Sequence, residues 1–186
     1  MKIGEAKNLK VQCIAHAVVS DEVLGEVVRL LHETWPEIEY KQQRIFQTIK
    51  AMEDRQKYRV CAWQNQRLVG HAAFLPRSIG TNRGRISMQL AAVCVTLEFR
   101  GQQVGRRVIE WVFDQVGQPR LDVALFQTGV PGFYEKLGAR CVSNRFVNST
   151  NTEAPEANPW WDEHVMIFPD TYDWPDGTID LPGPGY

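Results

Sequence analysis

The stretch AAVCVTLEFRGQQVGRRVIEWVF, residues 91–113, changes its hydrophobic period in the middle. Up to Thr96 it continues an alternation in which Ile86, Met88, Leu90, Ala92 and Cys94 face Ser87, Gln89, Ala91, Val93 and Val95. Period two predicts a strand over about 85–96. From Val104 the spacing is helical. Val104, Val108, Ile109, Val112 and Val116 share one face, and Gly117-Gln118-Pro119 stops the helix. A helix N-terminus offers N–H groups with no intrahelical partner and a partial positive charge, and a Gly-bearing turn lets a phosphate come close to them. Arg100, Arg106 and Arg107 add full charges there. The junction therefore reads as a pyrophosphate cradle between Arg100 and Arg106, with a plain strand–helix turn carrying exposed arginines as the alternative. It is not a P-loop, since GxxxxGK[ST] is absent, and it does not fit GxGxxG. No GxSxG elbow occurs, and His32-Glu33 lacks the second histidine of HExxH, so no metal motif is found. His16, His32, His71 and His164 read as structural or exposed.

Outward from this junction, the chain predicts an α/β unit. A strand is expected over 11–19, then a helix N-capped at Ser20-Asp21 with Val23, Val27, Leu30 and Leu31 at helical spacing, ended near Pro36. A more polar helix is expected over 42–54. A hairpin follows, with strands 58–63 and 68–75 around Gln64-Asn65-Gln66. After the 91–113 junction come a strand over 121–126, a short helix over 132–137 capped by Gly138, and strands over 140–146 and 164–168. The order predicts a central, mostly antiparallel mixed sheet of about six or seven strands flanked by about four helices, with one parallel crossover. All 186 residues are expected to form one domain, with residues 152–186 an acidic, Pro- and Trp-rich tail wrapping the body.

Hydrophobic residues make up 44% and charged residues 23% of the chain, which argues against disorder, collagen or coiled coil. A net charge of −1 argues against nucleic acid as a partner, because phosphate neutralisation needs excess Lys and Arg. The charge is divided. From Phe146 onward there is no Lys or Arg but eight acids: Glu153, Glu156, Asp162, Glu163, Asp170, Asp173, Asp176 and Asp180. The preceding residues hold the other 14 acids against all 21 bases. Cys13, Cys61, Cys94 and Cys141 form no CxxC pair, and three of them sit in apolar runs. With no apolar run near the roughly 18 residues of a membrane span and no signal-peptide core, the chain reads as a reduced, cytoplasmic protein without a membrane partner.

Residues 91–113, followed after one helix and one strand by GFYEKLGAR at 132–140, resemble the two signature segments of the GNAT superfamily of N-acetyltransferases. The resemblance implies a GNAT fold, direct transfer of an acetyl group from acetyl-CoA to an amine, and no metal. It further implies that Val93, Cys94 and Val95 offer main-chain groups to the acetyl carbonyl and pantetheine arm. Arg100, Gly101, Gln102, Gln103, Val104, Gly105 and Arg106 would hold the pyrophosphate. Gln127 would contact the coenzyme, and Tyr134 would protonate the leaving thiolate.

One position departs from the R-x-x-G-x-G pattern: Gln103 stands where the first glycine of the pair is expected. If the site needs only helical N–H donors, Gln103 is harmless, which is the expectation because Gln is an adequate helix former; if it needs an unusual backbone or very close approach, coenzyme affinity falls. The motifs name no base for the amine. Glu33, Glu37, Glu39, Glu98, Asp162 and Glu163 read first as solvated acids. Cys94 is a poor nucleophile candidate, since it alternates with core-type residues. The segment from Trp174 to Tyr186 resembles the WPxGxID…GP ending of a GNAT subgroup related to aminoglycoside 2′-N-acetyltransferases and nodulation-protein-A acyltransferases. That resemblance implies a cationic acceptor such as an aminoglycoside, attracted by the tail acids. Trp160, Trp161 and Trp174 could stack on it, or pin the tail instead. A longer acyl chain moved to an amino sugar, a silent acyl-CoA-binding regulatory module, and a homodimer are the other readings.

Overall fold

The computed structural model describes residues 8–36, 58–81, 86–119, 121–157 and 162–182. Seven strands are hydrogen-bonded neighbours in a mixed sheet, and two more form a small second sheet. The chain divides into two compact units: residues 1–75 with 92–112, and residues 76–91 with 113–186.

In the first unit, β1 (Lys10–Ala15) runs antiparallel to β2 (Tyr58–Gln64), with Cys13 opposite Val60. The strand expected over 11–19 ends early, because His16–Val18 tighten into a 3-10 turn. Strand β2 turns into the antiparallel β3 (Arg67–Ser78) through two residues rather than three. Asn65 and Gln66 both have positive φ, 48° and 66°, the conformation that a tight hairpin demands. Helix α1 (Asp21–Thr34) is capped as the sequence predicts, the Ser20 side chain accepting the Val23 N–H at 3.4 Å. Its Leu24, Val27, Val28 and Leu30 pack with Cys61, Leu68 and Cys94. Burying each aliphatic side chain contributes roughly 1.5–3 kcal/mol. A polar clamp fixes its register: Glu26 accepts the Leu68 N–H at 3.2 Å, and Arg29 donates to the Leu68 carbonyl at 2.7 Å. The helix expected over 42–54 lies outside the described residues.

Strand β4 (Ile86–Val95) leads into a 3-10 turn at Leu97–Phe99 and then α2 (Val104–Phe113). The helix is shorter at its C-terminus than the apolar face through Val116 predicts. Val116 and Gly117 belong to turns instead, with the Gly117 N–H bonded to the Leu121 carbonyl at 2.7 Å. The start of α2 sits against β3 at Gly70, where a Cβ would lie 2.7 Å from Val104 Cγ1.

In the second unit, the first half of β4 runs parallel to β5 (Ala124–Thr128), with Met88 opposite Ala124. This is the parallel crossover that the sequence predicts. Strand β5 pairs antiparallel with β8 (His164–Phe168), which also pairs with β6 (Arg140–Cys141). The short helix α3 (Pro131–Glu135) precedes Gly138, whose φ of 84° ends the turn.

The strand expected over 140–146 breaks in two. Beyond β6 the chain leaves the large sheet, and β7 (Arg145–Val147) pairs parallel with β9 (Thr178–Asp180) of the tail. Asn144 explains the break. It accepts the Trp174 Nε1–H at 2.7 Å and donates to the Pro175 and Gly177 carbonyls, each at 2.9 Å. Arg77 donates to the Leu181 and Pro182 carbonyls at 3.2 and 2.6 Å. Trp174, Ile179 and Leu181 are buried with Ile79, Val123, Leu125 and Ile167. Trp174 thus pins the tail, which is a built-in strand and not only an extended wrap.

Candidate functional site

The segment from Val93 to Arg106 is contained in the first unit, and its geometry follows from two reversals of the backbone. The first is Ala92, at φ 51° inside β4. The second is the turn before α2, where Gly101 has φ 75° and Gln103 has φ 67°. Gln103 therefore has the unusual backbone, and not the ordinary helical one on which its being harmless depended. The chain must swing from the 3-10 turn onto the axis of α2, and Gln103 adopts the left-handed backbone that a glycine would supply, at a cost of about 1–2 kcal/mol. Its carbonyl accepts the first helical bond, from the Arg107 N–H at 3.0 Å. The N–H groups of Val104, Gly105 and Arg106 precede that bond and have no acceptor within the helix. A Cβ on Gly101 would meet nothing within 4 Å, so the backbone there is open to a ligand.

The cationic side chains around this turn are partly committed. Arg100 Nε donates to the Val95 carbonyl at 3.2 Å, and Arg106 Nε donates to Glu110 at 2.6 Å. Arg107 donates to the Leu9 carbonyl at 3.3 Å, and the Gln102 amide donates to the Glu98 carbonyl at 2.7 Å. The main-chain donors of the turn and the Nη groups of Arg100 and Arg106 remain beyond these bonds, which suits a pyrophosphate held by a helix N-terminus. Val93 and Val95 are half-buried, and the Cys94 side chain is in the core. Burial pushes the Cys94 thiol up to about 12, so it stays protonated and is no nucleophile.

The second unit holds Tyr134 and Gln127. Tyr134 is 5% exposed, its ring 4.7 Å from that of Phe126 and 4.8 Å from that of Phe133. No described residue hydrogen-bonds its hydroxyl. Burial, with the Asp162 charge adding to it, pushes the hydroxyl well above the usual tyrosine range. It thus stays protonated across the neutral range and is not a base there. Gln127 lies on β5, and its Oε1 accepts the Asp162 N–H at 2.9 Å.

Of the acids, Glu33 pairs with Arg29 at 2.7 Å and with Arg67 at 3.8 Å, and Glu98 pairs with Arg67 at 2.9 Å. Glu37 and Glu39 lie outside the described residues, as do Trp160 and Trp161. Glu156, Asp162 and Glu163 line a groove of about 440 Å³ with Asn144 and Phe146. Among the described residues no group of His, Cys, Asp or Glu could hold a metal ion. Nor is any helix among them long and apolar enough to cross a membrane. One feature escaped the sequence: Ala92 is flanked by Ala91 and Val93, so the apolar pattern shows no slip there. His71, read from the sequence as structural or exposed, is fully buried.

The Acetyltransferase (GNAT) family model matches residues 23–139. The fold is similar to that of Escherichia coli ElaA, at 16% identity and a TM-score of 0.59 over 86% of this chain and 98% of that one. It is also similar to an acyl-CoA N-acyltransferase from Pseudomonas aeruginosa, at 15% identity and a TM-score of 0.59 over 86% and 98% of the two chains. Glucosamine-6-phosphate N-acetyltransferase from Arabidopsis thaliana matches at 17% identity and a TM-score of 0.55, over 74% of this chain and 95% of its own. No curated protein matches the sequence.

Proposed function

Because the chain belongs to the acetyltransferase (GNAT) family, whose members are acyl-CoA-dependent N-acyltransferases, we propose that it transfers an acetyl group from acetyl-CoA to a primary amine. The observation that carries this reading is the 93–106 segment, where a strand runs through a left-handed turn into helix N–H groups that have no acceptor within the helix, beside open space at Gly101. Acetyl-CoA supplies the electrophilic thioester carbonyl and the thiolate leaving group. In the proposal, the N–H groups of Val104, Gly105 and Arg106 and the backbone of Gly101 to Gln103 hold the pyrophosphate, with Arg100 and Arg106 as outer charges. Main-chain donors in Val93–Val95 stabilise negative charge on the acyl oxygen as it develops. Tyr134, kept protonated by burial, donates to the departing sulfur, and the proton that the attacking amine gives up to solvent balances its reprotonation. Gln127 is assigned a coenzyme contact.

The acceptor is proposed to be a cationic amine of the aminoglycoside kind, supported by the acids of the groove and tail. The tail's likeness to the aminoglycoside and nodulation acyltransferase subgroup supports the same choice. Longer acyl donors remain a second reading, separated by comparing acetyl-CoA with long-chain acyl-CoA as donors.

Calorimetry with acetyl-CoA, followed by kinetics of Tyr134→Phe on a panel of amines, tests the proposal. Micromolar binding, worth about −8 kcal/mol, is expected for both proteins. The variant should lose roughly 100-fold in kcat, the scale of a positioned acid, with the acetyl-CoA affinity unchanged. Absent binding by the wild type would overturn the donor site. Equal kcat values would remove Tyr134 from the mechanism.

A further inference from the structure

A left-handed residue inside a strand turns its carbonyl out of the regular ladder. At Ala92 that carbonyl is held by a side chain. His71, fully buried on β3, places Nδ1 2.9 Å from the Ala92 oxygen and Nε2 3.2 Å from a guanidinium nitrogen of Arg59 on β2. A carbonyl only accepts and a guanidinium only donates, so Nδ1 carries the proton and Nε2 accepts. Arg59 is itself only 2% exposed. No carboxylate among the described residues pairs with it, and its Nε has no partner. A buried cation needs partners for its donors, and among the described residues the side-chain partner of Arg59 is His71.

We infer that His71, oriented by Arg59, is a positioning residue that aims the Val93 N–H at the acyl oxygen. A trans peptide is planar, and its C=O and N–H point in opposite directions. Anchoring the Ala92 oxygen on His71 therefore fixes the Val93 N–H on the side away from His71. The donor is oriented before substrate arrives, which is the condition under which a dipole lowers a barrier without reorganisation. The inference rests on the proposed acetyl transfer with Val93–Val95 as donors.

The test uses the full chain and two amides that split the two roles of the ring. Asn at position 71 puts its amide nitrogen near the place of Nδ1 and can still donate to Ala92. Gln reaches the place of Nε2 and can serve Arg59 but not Ala92. His71→Gln is expected to lower kcat by roughly 10- to 100-fold, a misaimed oxyanion donor. The affinity for coenzyme A, which lacks the acyl oxygen, should change by less than about twofold, because only interactions specific to the transition state move kcat alone. His71→Asn should keep kcat within about threefold of wild type by the same criterion. Arg59→Met should show the His71→Gln signature and stands in if that variant does not fold. Equal losses for Asn and Gln, or losses that follow melting temperature, would mean a structural role and overturn the inference. A wild type that neither binds acetyl-CoA nor acetylates an amine would overturn the proposed transfer and the inference with it. An active wild type whose variants match it overturns the inference alone.

Discussion

Gln103 and Gln66 occupy the same strained backbone region, at φ 67° and 66°, and differ in what surrounds them. Gln66 is one of two residues in a hairpin turn, and Gln103 opens the candidate pyrophosphate cradle. A left-handed L-residue costs about 1–2 kcal/mol, and a glycine there loses about 0.5–1 kcal/mol of that gain to unfolded-state entropy. Gln66→Gly and Gln103→Gly are each expected to stabilise the chain by about 0.5–1 kcal/mol, read from urea midpoints at unchanged slope. Their effects on acetyl-CoA should separate them. Gln66→Gly should leave affinity alone. Gln103→Gly should change it by less than about threefold, because the backbone already has the conformation that glycine favours. If only the Gln103→Gly variant bound acetyl-CoA, the native cradle would be closed by its side chain, and the acyltransferase reading would fail at its first step.

At the scale of elements, the seating of α2 on β3 governs the position of the cradle. Gly70 leaves no room for a Cβ, with Val104 Cγ1 at 2.7 Å and Ala62 Cβ at 3.3 Å. Gly70→Ala should therefore push Val104, the first helical residue, off the sheet. A loss of about 1–3 kcal/mol in stability is expected, the usual cost of overpacking, together with weaker acetyl-CoA binding by calorimetry. The clamp between α1 and β3 gives a pH test. The hydrogen bond from Arg29, helped by the Leu68 N–H and the charges of Arg29 and Arg67, holds the Glu26 carboxyl below its usual 4.5 against the effect of burial. A folded value below the unfolded one means that this stabilisation is complete above about pH 4.5 and is lost as pH falls through the folded value. Urea unfolding should thus show wild type ahead of Glu26→Gln at pH 7, with the gap closing toward pH 3. A constant gap would show that the Glu26 charge contributes nothing. The elements that set these positions were legible in the sequence where each is long and periodic: α1 with its Ser20 cap and the switch from β4 to α2. Positions set by one distant side chain were not. Val142 and Phe146 look like one strand, but Asn144 between them binds the carbonyls of Pro175 and Gly177, and no local pattern carries that information. Strand β9 has three residues in a Pro- and Gly-rich setting, too few to show a period. Ala92 is invisible because alternation cannot register a slip between three small apolar residues.

For the whole molecule, the uneven charge is the feature that reaches beyond any element. The eight acids of the last 41 residues are not equivalent. Asp180 accepts from the Ser149 N–H and hydroxyl at 2.9 and 2.6 Å, and Glu156 pairs with Arg145, so both are spent on holding the tail. Glu153, Glu163, Asp170 and Asp176 are exposed. Exposed charges act through the field they set up, which raises encounter rates for an opposite charge and is screened beyond about 10 Å at 0.1 M salt and about 3 Å at 1 M. If the acceptor is a polycation, changing these four acids to their amides should raise its KM roughly tenfold at low ionic strength, within the range of steering effects. The difference should vanish at 1 M salt, and the KM for acetyl-CoA should stay constant throughout. A neutral amine should show none of this. An unchanged KM for aminoglycosides and polyamines in the four-amide variant would mean that the tail acids only keep the surface solvated. The acceptor would then have to be sought among uncharged amines, with the groove at Asp162 and Asn144 as the place where selectivity is decided.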